Sequence, residues 1–484
     1  MTGRAPGQRP FPIPVRSESA SDWRRRGPWV ARVEAFASRN RDRLAWVHVA
    51  MFFGFMALMI LPLFLPTPSD HAHVLDNFTL LANFIIWGLW FPLVFVSVIF
   101  TGRSWCGILC PLGASSEWAN RIGLKRPVPR WVRWEGTPVI SFVVITVLAQ
   151  TVDARGFPQG IAVVFGLAFA CAVVLGFVYG QGRNKRPWCR HMCPIGLMLG
   201  VFSRIGAAQF TPKQPRPGGD AYADKGVCPT MIDIKRKQES RHCIECFRCV
   251  KPGGRGGLAL MLRRPGSEVA DIRHHHPNPA EIWFLFLATG LALGGFLWLI
   301  LPQYGHIRQA LGVWAIDRGW DWIGTPGPWW LMSVHRQGRE VYTWLDFFTI
   351  TAFMLGCALA LAALLGLLTG ASSWLAGRLG GDLDMRRRFV EQAYAYMPVA
   401  MVSLVVGLGG ELFDALASVG LPARAVALLK LGLFALGMLW SVALGLRLLG
   451  AQKLRGPRRL AALTPLLAGV AVVGLAWWPA IFGL

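Results

Sequence analysis

Apolar stretches of about twenty residues recur along almost the whole chain, and they are continuous rather than confined to one face. A helix that spans a bilayer needs about 20 mostly apolar residues. Nine segments come close to that requirement: 44–66, 78–101, 138–153, 160–180, 282–302, 344–369, 394–416, 425–450 and 460–482. The third is short and reads as tilted or partly re-entrant. The pattern predicts an all-α polytopic membrane bundle of about nine transmembrane helices. Polar sequence of any length falls at 1–44, 181–281 and 303–343.

Composition sharpens this picture. Only 16% of residues are charged and 54% are hydrophobic, whereas soluble domains carry about 25% charged residues. Disordered, collagenous and small disulfide-framework classes are excluded. The formal net charge is +24, which raises nucleic acid as a partner. Topology accounts for it instead. With the N-terminus cytoplasmic, the inside segments hold 42 of the 50 Lys and Arg and the outside loops hold six. That bias follows the positive-inside rule, sets the N-terminus on the cytoplasmic side and leaves no role for nucleic acid. The arm 1–44 lacks the cleavage pattern of a signal peptide. Its Arg24, Arg25 and Arg26 are expected on anionic lipid headgroups.

A duplication carries the first candidate chemistry. RSWCGILCPLG from Arg103 aligns without a gap on RPWCRHMCPIG from Arg186, 83 residues later, and the match resumes at Arg121-Ile122-Gly123 and Arg204-Ile205-Gly206. Each copy follows a pair of predicted spans, so 45–206 reads as a duplicated unit packed about a pseudo-twofold axis. CxxxC sets Cys106 with Cys110, and Cys189 with Cys193, on one side of a helical turn. The proline after each second cysteine suits a turn or the start of a helix. Four thiolates brought together suit a second Fe–S centre, zinc or soft Cu(I); buried structural thiols are the plainer alternative.

The segment 207–281 carries Cys243-Ile-Glu-Cys246-Phe-Arg-Cys249. C-x2-C-x2-C lets three thiolates wrap a cubane. The bacterial pattern would place a fourth cysteine at position 253, where Gly253 stands. In two-cluster ferredoxins the fourth cysteine ligates the other cluster, so its partner should stand upstream before a proline. Cys228-Pro229 fits. The segment reads as half of a two-cluster ferredoxin, with one [4Fe–4S] cluster on Cys228, Cys243, Cys246 and Cys249. Zinc hooks are usually further apart. Lys235, Arg236, Lys237, Arg241, Arg248 and Lys251 make the surroundings cationic, which favours the reduced cluster.

These motifs, CGILCPLGA from Cys106, CRHMCPIG from Cys189 and CPTMIDI with HCIECFRC from Cys228, resemble the NapH/NosR-type membrane polyferredoxins, and more distantly the CcoG group. The resemblance covers about residues 45–300. It implies an inner-membrane Fe–S protein that passes electrons from quinol toward a periplasmic reductase, or serves metallocentre maintenance. It makes the eight motif cysteines the redox-relevant positions. The chain departs from the type in carrying one ferredoxin run rather than two, a short basic arm where NosR-like proteins have a flavin domain, and four further spans after residue 343.

The remaining candidates are weaker. Among the ten histidines only His48 lies in a span and no CxxCH occurs, so haem is not expected. His48 reads as an interfacial residue, with quinone-site proton acceptor as the alternative. His71, His73, His306 and His335 fall in outside loops and read as solvated rather than as a metal or quinol site. His274, His275 and His276 read as a cap before the fifth span. Cys171 and Cys357 read as packing residues. Glu391, Glu411 and Asp414 flank the seventh span, Lys430 lies in the eighth, and Pro398 should kink the seventh. The Trp-rich loop 303–343 reads as an interfacial belt or a docking face. The expected domains are a basic arm at 1–44, the duplicated core at 45–206, the cytoplasmic ferredoxin-like insert at 207–281, the fifth span with its loop at 282–343, and a four-helix region at 344–484. The expected function is quinol-linked electron transfer to a redox partner protein. Copper binding or reduction, and redox sensing, are the alternatives.

Overall fold

The computed structural model describes residues 27–66, 74–213, 226–234, 236–251, 257–335 and 340–482. Arg24, Arg25, Arg26, His71, His73, Lys235 and Gly253 lie outside them. The chain is an all-α membrane bundle. Among the described residues, eight helices are long and apolar enough to cross a bilayer: Leu44–Phe64, Phe78–Thr101, Pro158–Val178, Pro279–Ile300, Trp344–Arg378, Met385–Leu408, Ala423–Ala451 and Gly456–Ala476. The third expected span is the helix Thr137–Thr151. At 1.5 Å per residue its 15 residues reach about 22 Å, short of a hydrocarbon core of about 30 Å.

Local chemistry sets where these helices bend. Pro92 follows the π-helical turn Phe84–Trp90, since a proline inside a helix removes one donor and crowds the preceding turn. The seventh span breaks at the 3-10 turn Tyr394–Tyr396, just before Pro398. It ends at Leu408 rather than 416, because a separate short helix, Gly410–Ser418, begins after Gly409. Met385–Leu408 is the most enclosed of the eight, with 83% of its apolar window buried. Close packing elsewhere rests on small residues. A Cβ at Gly290 would lie 2.7 Å from the Cys357 carbonyl oxygen, and one at Gly294 would lie 2.9 Å from Met354 Cα. Cys357 Cβ would lie 3.0 Å from the Cβ at Gly294, on the seam between Pro279–Ile300 and Trp344–Arg378.

The insert is mostly irregular. Among its described residues, a sheet pairs Ala208–Pro212 antiparallel with Leu258–Leu262, Phe210 standing opposite Leu260. A small core of Phe210, Cys228, Ile234, Cys243, Phe247, Cys249, Val250 and Leu258 lies beneath it. The helix Pro28–Arg39 lies against this sheet. It buries Val30, Glu34 and Ser38 at four-residue spacing, and Glu34 accepts from the Leu260 amide at 2.6 Å. The described part of the basic arm is thus docked on the insert.

Candidate redox site

The structure brings the eight motif cysteines into two neighbouring groups on one face of the bundle. Cys106, Cys110, Cys189 and Cys193 line one cavity. Cys228, Cys243, Cys246 and Cys249 line a smaller one. The groups touch at Gly107, where a Cβ would lie 2.1 Å from the Ile244 carbonyl oxygen and 2.9 Å from the Cys246 nitrogen.

The CxxxC turn differs from the simple helical turn that the spacing suggests. The amide of Cys110 donates to the Trp105 carbonyl at 3.0 Å, and that of Cys193 donates to Trp188 at 2.9 Å, five residues back in both copies. Each second cysteine then leaves the turn with extended backbone and becomes the N-cap of the next helix. The reason is the following proline, which disfavours helical backbone in the residue before it and fits the first helical position. Cys110 Sγ accepts from the Gly113 amide at 3.4 Å and Cys193 Sγ from Gly196 at 3.1 Å. The copies also trade contacts. The helix Pro111–Ile122 of the first packs on Pro158–Val178 of the second, where a Cβ at Gly176 would lie 2.1 Å from the Ser116 carbonyl oxygen. Leu124 donates to Phe177 of the second copy and Ala207 donates to Ile99 of the first.

The loop Cys243–Cys249 holds Glu245 at φ 52° and Phe247 at φ 59°. Left-handed residues alternating with ordinary ones turn successive amides toward one concave side, a nest suited to an anionic group. Burial pushes the Cys243 thiol up to about 12 and raises Cys249 well above the usual range, with its three sister cysteines adding to it. Burial and the charge of Cys106 push Cys110 up to about 11; burial and Cys110 push Cys189 up to about 12. Such thiols stay protonated at neutral pH unless a metal centre takes the place of the protons. Among the described residues no three His, Cys, Asp or Glu side chains form a group able to hold a single metal ion. A cubane binds its cysteines at four separate corners and so needs no such convergence.

Charged side chains tie the two groups together. Fully buried Arg186 donates to the Cys106 carbonyl at 2.8 Å and pairs with Glu117 at 2.9 Å. Glu117 also pairs with Arg248, which stands between Cys246 and Cys249, and with Arg121. Burial raises this carboxyl, but Arg186 and Arg248 outweigh it and hold it at about 2. Lys185 donates to the Cys228 carbonyl at 3.0 Å. Glu117, Arg121, Lys185 and Arg186 were missed as functional in the sequence, whereas Arg248 was read as part of the cationic surroundings of the cluster. The available signal was the repeat itself, which matches Arg103 to Arg186 beside each motif.

Beyond the Cys106 quartet the cavity opens to about 210 Å³. Its walls are apolar, with Phe55, Trp87, Phe91, Phe165 and Phe296 among them, and it reaches Gln150 and Arg155 toward the opposite face. Arg155 is held by the Gly407 carbonyl at 3.1 Å. Two donors beside the quartet, Arg103 Nε and Trp188 Nε1, are buried without a hydrogen-bond partner. Buried donors of this kind are rare and point to an acceptor in the cavity.

The other candidates resolve as follows. His48 is buried, 3.1 Å from the Gly107 carbonyl oxygen. His335 stacks on Phe157 and His306 is exposed. His274 pairs with Asp271, and His275 bonds the Gln238 carbonyl. Cys171 packs beside Trp188 and Cys189. Glu391 pairs with Arg273 and accepts from Gln452, while Lys430 lies 5.1 Å over the Phe413 ring. Trp314, Trp320, Trp322, Trp329 and Trp330 are exposed on their loop.

A 4Fe-4S binding domain family matches residues 83–129 and 162–212. The match covers the two CxxxC copies and stops before Cys228. NirI of Paracoccus denitrificans is 26% identical over 209 residues, 39% of this chain and 30% of that protein. The ferredoxin-type protein NapH of Escherichia coli is 25% identical over 167 residues, 31% of this chain and 58% of that protein. The regulatory protein NosR of Pseudomonas aeruginosa is 22% identical over 187 residues, 33% of this chain and 26% of that protein. The chain thus spans less than two thirds of each of these relatives. No solved structure matches it.

Proposed function

We propose, from the premise that the chain is a membrane polyferredoxin of the NapH/NosR type, that it exchanges electrons between quinol in the bilayer and a redox partner protein. Fe–S electron transfer is the common ground with its relatives; the quinol link is the further step. One centre rests on Cys106, Cys110, Cys189 and Cys193, the other on Cys228, Cys243, Cys246 and Cys249, both on the cytoplasmic side. An iron–sulfur cubane takes up and releases one electron at a time. The observation that carries the quinol reading is the apolar cavity whose inner end is closed by the first quartet. Its aromatic walls take a lipid-soluble ring and exclude water, and Trp188 Nε1 offers a donor where a ring oxygen would need one. The contact at Gly107 lets the two centres exchange electrons through touching backbones.

Oxygen-free purification tests this. The protein should carry about eight iron atoms and as many labile sulfides, the content of two cubanes, and a soluble quinol analogue should reduce them. Thr146→Phe, which fills the cavity wall, should leave iron unchanged and slow that reduction. Stoichiometric copper without labile sulfide would overturn the proposal in favour of metal handling. Iron that no quinol reduces, with full reduction by dithionite, would retain the centres and remove the quinol link.

A further inference from the structure

The two repeat arginines are equivalent in sequence and unequal in charge balance. Arg186 has a carboxylate, Glu117, at 2.9 Å. The residue 83 positions after Glu117 is Gly200, and a Cβ there would lie 2.7 Å from the Arg241 carbonyl oxygen. No side chain fits, so the second copy cannot supply the matching acid. The Arg103 guanidinium is left with the Arg241 carbonyl and, at 3.9 Å, the Cys106 sulfur; the nearby Glu245 carboxyl accepts from the Arg103 backbone amide and feels its charge without forming an ion pair with it. Arg103 is 2% exposed, and among the described residues it has no ion-pair partner. Its Nε has no acceptor, and the side chain lines the cavity beside all four thiols.

An arginine keeps its charge under all ordinary conditions. Burying it without an anion is costly, so the fold implies an anion beside it when the protein is assembled. A thiolate-ligated cluster is that anion. We propose that Arg103 is the counter-cation of the iron–sulfur centre on Cys106, Cys110, Cys189 and Cys193, and that it raises that centre's midpoint potential. This rests on the reading of the quartet given above. The reduced centre carries one more negative charge than the oxidised one, and a fixed cation in a water-poor site stabilises it more. Arg103 acts here as a positioning residue, through the charge it holds against the centre. Its guanidinium donors would also be available to the cluster's sulfurs.

The test is an anaerobic redox titration of purified protein followed by EPR, with iron counted in the same samples. The signal lost in Cys189→Ser identifies the quartet's centre. In Arg103→Gln the iron content should hold and that centre should become harder to reduce. The expected shift is about tenfold or more in its one-electron equilibrium, or about 59 mV; the centre lost in Cys243→Ser should stay in place. Should Arg103→Gln fail to assemble, Arg103→Lys decides. A midpoint close to wild type supports the charge argument, and a tenfold loss despite the retained charge overturns it. Wild-type iron with an unmoved midpoint in Arg103→Gln overturns this inference alone. Wild-type protein with about four irons, none lost in Cys189→Ser, overturns the reading of the quartet and this inference with it.

Discussion

Glu117→Gln removes a carboxylate shared by the two cysteine groups. Its side chain is 2% exposed and that of Arg186 is fully buried, so water screens their pairing little. The carboxyl is held at about 2 against an ordinary 4.5, which at 1.36 kcal/mol per pH unit corresponds to about 3 kcal/mol. Breaking a buried pair from one side costs about 3–5 kcal/mol by a separate route, so the two agree. Because the folded value lies below the unfolded one, this stability is fully present above about pH 4.5 and is lost as pH falls toward 2. Thermal unfolding in detergent at pH 7 should show the variant melting at least about 3 °C lower. Arg186→Gln should cost much less in the Glu117→Gln background than alone, since the pair is already broken. A variant melting with wild type, or additive losses in the double variant, would refute the idea that this carboxylate clamps Arg186 and Arg248.

Two further outcomes follow from the geometry. Gly107→Ala places a methyl 2.1 Å from the Ile244 carbonyl oxygen and must push the insert from the first CxxxC turn. Weaker magnetic coupling between the two centres by EPR, or loss of iron, is expected, and unchanged coupling would count against direct contact. Burial raises Glu268 but Arg263 and Arg204 outweigh it and hold it at about 2. Glu268→Gln should therefore destabilise the insert by about 3 kcal/mol at neutral pH, read as faster proteolysis of the segment, with the difference from wild type shrinking below pH 4.5.

Several features were legible in the chain order because they depend on covalent neighbours. Runs of about twenty apolar residues can only be satisfied as helices in lipid, and all eight long spans appear where those runs lie. A proline after cysteine starts a helix in both copies. An 83-residue repeat can be found by shifting the sequence against itself. Length also warned of the short helix Thr137–Thr151.

What only the tertiary structure decided involves residues far apart in sequence. The spacing of Cys106 and Cys110 suggested one helical face, yet a five-residue closure and a cap place them otherwise. The position of His48 near the end of a span says nothing of its neighbours; the first cysteine turn packs over it and buries it. Arg103 and Arg186 look alike in the repeat and differ because Glu117 and Gly200 differ, a distinction that matters only when side chains from the two copies cross. The cavity draws its walls from helices as far apart in the chain as those of Phe55 and Leu408. Local sequence determines helices and caps through short-range sterics, whereas charge balance and cavity shape are sums over neighbours that the chain brings together only on folding.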